Sequence, residues 1–135
     1  MPLDKIEHYL VLTDDLEATR DFYVQALGLR NGPRPPLGFP GYWVYCGDTP
    51  SIHIAEWKTY TAHSNAKDIP VSARAVGTGS VDHIAFHAHD YDEIVARLER
   101  NGVAARRNDP PGGSLRQLFL SDPNGVKIEI NVRIS

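Results

Sequence analysis

A chain of 135 residues with fourteen Lys and Arg against seventeen Asp and Glu, formal charge -3, is long enough for one compact domain with its own core. It has no basic stripe to neutralise a phosphate backbone, so nucleic acid is not an expected partner. No stretch approaches the roughly 20 apolar residues that span a bilayer, and the start MPLDKIEHYL lacks the basic and apolar regions of a signal peptide, so the expected location is cytoplasmic, with no membrane partner.

The segment Ile6 to Thr13 reads as a strand, after which Asp14 or Asp15 can cap a helix carrying Leu16, Thr19, Phe22, Tyr23 and Leu27 at helical spacing, stopped by Gly28. The run from Gly32 to Gly41 is rich in proline and glycine and reads as a loop. Tyr42 to Cys46 and Ser51 to Trp57 then read as strands joined through Gly47-Asp48-Thr49-Pro50. Cys46, the single cysteine, is expected to be a small core residue rather than a nucleophile. Lys58 to Ser80 is polar with no clear period and reads as a connection or flap.

From Val81 the order of elements repeats. Val81 to Ala88 reads as a strand, and Asp90 caps a helix with Glu93 at the capping-box position and Ile94, Val95 and Leu98 on its buried face, ending at Gly102. Ala104 to Arg107 is a short strand candidate and Asp109 to Ser114 a loop. Leu115 to Leu120 leads through Asp122-Pro123-Asn124-Gly125 into Val126 to Val132. The expectation is one domain over residues 1–135, with module one at about 4–57, a linker or flap at about 58–80 and module two at about 81–133. Each module is strand, helix, then three strands, and two copies point to a pseudo-twofold pair of half-sheets rather than a solenoid.

Laying the modules over each other brings His8 onto His83, and the spacing from His8 to His53 equals that from His83 to Glu129 within one residue. Strand parity tests this alignment, because alternate side chains point to opposite faces. Val126, Ile128, Ile130 and Val132 share one face and leave Lys127, Glu129 and Asn131 on the other. Ile84 and Phe86 oppose His83, Ala85 and His87, and Ile52 and Ile54 oppose His53. Parity is silent for His8, whose face also carries Ile6, Leu10 and Leu12. His8, His83 and Glu129 are thus candidate ligands of a divalent metal. Two imidazoles and one carboxylate leave open positions on an octahedral ion such as Fe(II), Mn(II), Zn(II) or Ni(II). A lone histidine in a strand is more often a hydrogen-bonded packing residue; the matched spacing and parity outweigh that reading here.

Glu7-His8, Asp15-Leu16-Glu17, Phe22-Tyr23, Leu27-Gly28-Leu29, Val81 to Phe86, and Phe119 through Asp122-Pro123-Asn124-Gly125 to Ile128-Glu129 together resemble the vicinal oxygen chelate superfamily. That superfamily includes glyoxalase I, extradiol dioxygenases, fosfomycin-resistance enzymes and bleomycin-binding proteins. The resemblance spans essentially the whole chain and implies an α+β fold of two βαβββ modules forming paired concave mixed sheets around the metal. It places His8, His83 and Glu129 at the family's ligand positions and implies a homodimer.

His53 matches a position that differs between branches: glyoxalase-like members carry a carboxylate there, whereas some extradiol dioxygenases place an acid/base histidine nearby. Acid/base or substrate-contact work, which a near-neutral pKa would suit, a fourth ligand, and plain packing all stay open for it. Glu56 is set aside as a substitute ligand because parity puts it opposite His53. Arg116 resembles an arginine of fosfomycin-resistance enzymes that could grip an anionic oxygen; an ordinary surface arginine is the alternative. Phe39, Tyr42, Trp43 and Trp57 are candidates for an aromatic wall.

The leading expectation for function is a metal-dependent enzyme acting on a small vicinal-oxygen substrate, a ring-cleaving dioxygenase with Fe(II) or Mn(II) being preferred and Zn(II) or Ni(II) being alternatives. A redox-neutral glyoxalase-like lyase or isomerase, a fosfomycin-type transferase or hydrolase, and a metal-free antibiotic-binding protein are the competing readings.

Overall fold

The computed structural model describes residues 2–134. The chain forms two compact units, Met1–Val24 with Leu29–Arg74, and Gln25–Gly28 with Ala75–Ser135.

The first unit opens with β1 (Tyr9–Thr13) and α1 (Leu16–Asp21), which widens into a π-helical turn over Phe22–Ala26. Then come β2 (Arg30–Gly32), β3 (Gly41–Cys46), β4 (Thr49–Glu56) and α2 (Trp57–Ala66). Asp15 caps α1 by accepting the Ala18 N–H at 3.0 Å, which satisfies a donor left over at the helix start. The sheet order is β1-β4-β3-β2, with β1 parallel to β4 and the other pairs antiparallel. Val11, Val44, Ile52 and Ile54 are buried, as are Thr19 and Tyr23 of the helical segment. Hydrophobic burial of this order, about 1.5–3 kcal/mol per large side chain, holds the helix to the sheet.

The second unit repeats the plan: β5 (Ile84–Ala88), α3 (Tyr91–Arg100), β6 (Arg106–Asn108), β7 (Leu115–Ser121) and β8 (Lys127–Arg133), in the order β5-β8-β7-β6. The parallel pair is again first strand with last. Leu98, Leu118, Leu120, Val126, Ile128, Ile130 and Val132 form its core, so the parity read from Val126 to Val132 holds. The turn before β8 is locked by Asp122, which is buried and accepts the Asn124 and Val126 N–H groups at 2.8 and 2.9 Å. Gly125 sits at φ 80°, which a side chain would resist. The architecture is α+β, two βαβββ units.

Several local expectations change. Residues 58–66, read as part of an aperiodic connection, are helical, and Trp57 starts α2 rather than ending a strand. The third strand expected in the first module had no range; it is β2 at Arg30–Gly32. β6 starts two residues later than read and ends one later. Both first strands begin later than read, at Tyr9 and Ile84. Cys46 is exposed, not core, because β3 ends there at the turn into β4.

Candidate metal centre

The late strand starts place His8 and His83 in the same position: each is the residue immediately before the first strand of its unit. Register then fixes their partners. In the first unit Leu10, two residues past His8, pairs with His53; in the second Ala85, two residues past His83, pairs with Glu129. The spacing seen in the sequence is therefore a shared strand register.

Each histidine is held by the acidic residue before it. His8 Nδ1 lies 3.0 Å from Glu7 Oε1, and His83 Nδ1 lies 2.8 Å from Asp82 Oδ2. A carboxylate accepts only, so Nδ1 is the donor in each contact and Nε2 is the ring nitrogen turned away from that carboxylate. Carboxylate support of this kind orients histidines that bind metals. Lys127 Nζ adds contacts of 3.3 Å to both Asp82 oxygens. The hydrogen bond from His83 and the charge of Lys127 hold the Asp82 carboxyl below its ordinary range.

Glu129 sits in a chain of amides. Asn131 Nδ2 donates to Glu129 Oε2 at 2.7 Å, Gln117 Nε2 donates to Asn131 Oδ1 at 3.0 Å, and Asn108 Nδ2 donates to Gln117 Oε1 at 2.8 Å. These residues share one face because Asn108 pairs with Gln117 and Gln117 with Asn131 across the sheet. With Oε2 occupied, Oε1 faces His83 Nε2 at 3.4 Å. The Glu129 side chain is only 13% exposed, against 37% for His83.

His53 has different surroundings. Its ring stacks between His8 and Trp43, with centroids at 3.6 and 4.3 Å and interplanar angles of 12° for both pairs. Burial, with the neighbouring His8 next in weight, lowers its pKa to about 4. That is below the near-neutral range that would suit the acid/base role. At neutral pH His53 is an uncharged imidazole, suited to accepting a hydrogen bond or a metal and poor at donating a proton as imidazolium. His8, Trp43 and His53 line a pocket of about 170 Å³ together with Leu10, Arg34 and Phe39.

Arg116 is not brought to Glu129. It pairs with Val132 and so lies on the opposite, helix-covered face of the sheet. There its guanidinium stacks 3.7 Å from the Tyr91 ring centroid and its Nε donates to Asp109 at 3.2 Å. Of the four aromatic wall candidates, Trp43 and Phe39 line the pocket. Tyr42 pairs with Ile54 on the other face, and Trp57 belongs to α2. Sequence reasoning missed the amide chain and Arg34. Asn131 shares the parity of Glu129 and was visible; the cross-strand register that links it to Gln117 and Asn108 was not.

Two ligand-type pairs thus form, His8 with His53 and His83 with Glu129, and no group of three His, Cys, Asp or Glu side chains gathers as a metal cluster among the described residues. The Glyoxalase/Bleomycin resistance protein/Dioxygenase superfamily model matches residues 5–130. The chain belongs to this superfamily. A lactoylglutathione lyase of Escherichia coli O157:H7 is 28% identical over 131 residues, which is 93% of this chain and 90% of that protein. The crystal structure of a lactoylglutathione lyase from Agrobacterium tumefaciens gives a TM-score of 0.71 at 22% identity, covering 98% of this chain and 96% of its own. An antibiotic binding protein from Streptomyces sp. CB03234 gives 0.68 at 22% identity, with 99% of both chains covered. Named enzymes and a named antibiotic binding protein thus share this fold, and no helix among the described residues of this chain is long and apolar enough to cross a membrane.

Proposed function

We propose that this protein is a metal-dependent enzyme acting on a small molecule with two neighbouring oxygens, and that His8, His83 and Glu129 are its metal ligands. The observation that carries the reading is the matched pair of carboxylate-held histidines, each at the same register position relative to a ligand-type residue on the last strand of its unit. The donor set fits a divalent ion: two imidazoles each held at Nδ1 by a carboxylate, and a carboxylate with one oxygen tied to Asn131 and the other turned to His83 Nε2. When bound, such an ion lowers the pKa of a coordinated substrate oxygen and stabilises the anion that develops.

The chain's own residues supply the rest. Glu7 and Asp82 fix the tautomer and direction of the two imidazoles, and the Asn108–Gln117–Asn131 chain fixes Glu129. The His8–His53–Trp43 stack forms an aromatic side of the pocket beside which a planar substrate can pack. Two histidines and one carboxylate leave room for both substrate and dioxygen, which favours Fe(II) or Mn(II) and a ring-cleaving dioxygenase. Histidine at position 53, where glyoxalase-like members carry a carboxylate, weighs against a glyoxalase I site. The lactoylglutathione lyases among its relatives favour the redox-neutral lyase as the second reading, with Zn(II) or Ni(II). The protein is proposed to act as a homodimer, which light scattering on the purified chain would show.

Anaerobic purification with elemental analysis, followed by oxygen-uptake assays on a catechol panel after Fe(II) or Mn(II) loading, tests the proposal. Bound metal and oxygen uptake are expected. Bound metal without uptake moves the assignment to the lyase. His83→Ala should abolish metal retention, and undiminished retention would refute the ligand set.

A further inference from the structure

The pocket of the first unit contains a cation that the metal centre does not use. Arg34 stands in the proline-rich loop between β2 and β3 and is partly buried. Its Nη2 donates to the Phe39 carbonyl at 2.8 Å, and its Cζ lies 5.0 Å from the Phe39 ring centroid. The guanidinium reaches over Gly41, where a Cβ would come within 3.2 Å of Nη2. A guanidinium has five N–H donors and keeps its proton, and only one of those donors has an acceptor among the described residues. No acidic side chain lines the pocket. Burial of the charge pulls the Arg34 pKa downward, the mark of a cation that has lost water and gained no counter-ion.

The remaining walls are flat and apolar. The His8–His53–Trp43 stack, Phe39 and Tyr60 border the space, and Leu10 and Leu37 complete it. At about 170 Å³ it matches cavities of about 150 Å³ that hold a single benzene ring. A cationic donor cluster at the edge of a one-ring, aromatic-walled space selects both a shape and a charge.

We infer that this pocket takes a single planar ring bearing a carboxylate, with Arg34 pairing with the carboxylate and acting as the specificity-determining residue. The inference deepens the proposed function and rests on it for which end of the molecule reacts, since His8 belongs both to the pocket and to the ligand set. The acid end faces Arg34, and the neighbouring oxygens of the ring face His8.

The test uses benzoate and its uncharged isostere benzamide, titrated by calorimetry or ligand-observed NMR into EDTA-treated protein and again into metal-loaded protein. Metal-free wild type should prefer benzoate by at least about tenfold, the scale of one charge-assisted pair. Arg34→Met should erase that preference, a urea midpoint close to wild type showing that the variant is folded, and Arg34→Lys should restore part of it. Equal binding of the two probes by metal-free wild type, or a preference that survives Arg34→Met, overturns the inference. The two readings fail separately. A protein that retains no metal yet shows the Arg34-dependent preference refutes the ligand set and upholds the pocket. A preference that arises only on metal loading and ignores Arg34 does the reverse.

Discussion

The two units share one topology and one register, yet their ligand-bearing faces are made of opposite materials. In the first, His53 lies between rings, next to Leu10 and Trp43, and burial drives its pKa to about 4. In the second, Glu129 sits at the end of an amide chain that hydrogen-bonds one of its oxygens. A carboxylate at position 53, packed against two rings, would lose its hydration, whereas Glu129 accepts a hydrogen bond from Asn131. A repeated backbone therefore fixes where a side chain stands, and the neighbours on its face decide whether a charge can live there. Under the proposed function, the first unit would meet the organic part of a substrate and the second would orient the carboxylate donor.

The largest expected effect separates the faces directly. Glu129→Ala should release the metal more completely than the roughly 10- to 100-fold loss typical of removing a supporting partner, whereas His53→Ala should leave retention largely unchanged. Equal release by both, read by elemental analysis after dialysis, would make His53 a ligand as well and end the comparison. Asn131→Leu comes next: it frees Glu129 Oε2 and orphans Gln117 Nε2, so metal affinity should fall by about 10- to 100-fold with the fold retained. Asn108→Ala, at the exposed end of the same chain, should cost less than tenfold because water can replace its amide. A competition assay with a chelator of known affinity reads both.

On the ring-lined face the corresponding weak point is backbone. A Cβ on Gly41 would lie 2.3 Å from the Ile54 carbonyl oxygen, and a β4 backbone atom cannot move aside as a side-chain tip can. Gly41→Ala should therefore cost about 1–3 kcal/mol, seen as a lower urea midpoint. An unchanged midpoint would mean that the β3–β4 pair spreads at no cost.

How much of this was legible in the sequence follows from the same physics. Strands that bury one face announce themselves by parity, which is why Ile52, His53 and Ile54, or Ile128, Glu129 and Ile130, could be assigned to faces without coordinates. Helix ends were legible for a similar reason, since Asp15, Gly28, Asp90 and Gly102 act through their own backbone neighbours. α2 was not, because Trp57–Ala66 carries Lys58, Thr59, Thr61 and Asn65 and no apolar stripe. Its one fully buried residue is Ser64, so its helical form comes from where β4 leaves it. The edge strands Arg30–Gly32 and Arg106–Asn108 are three residues each and mostly polar, too short for a period. Arg116 was a candidate by resemblance alone, and the β7–β8 register puts it on the face opposite Glu129.

The smallest predicted effect concerns how the two helices leave their first strands. Asp15 caps α1 from an extended backbone, φ -134°, with a 3.0 Å bond to the Ala18 N–H, whereas Asp90 caps α3 from the left-handed region, φ 63°, with a 3.4 Å bond to the Glu93 N–H. The Glu93 carboxylate completes no capping box, facing Arg100 instead at 3.3 Å. Asp15→Ala should cost about 1 kcal/mol, the ordinary value of a lost cap. Asp90→Ala should cost more, because it loses a cap and leaves a Cβ at positive φ without the polar side chain that makes αL tolerable. Asp90→Gly should shift stability by only a few tenths of a kcal/mol, since relief of the backbone offsets a long and weak bond. Urea midpoints for the three variants give the order. Equal losses for Asp90→Ala and Asp90→Gly would show that the side chain, rather than the turn it stands in, holds the second helix to the strand that follows His83.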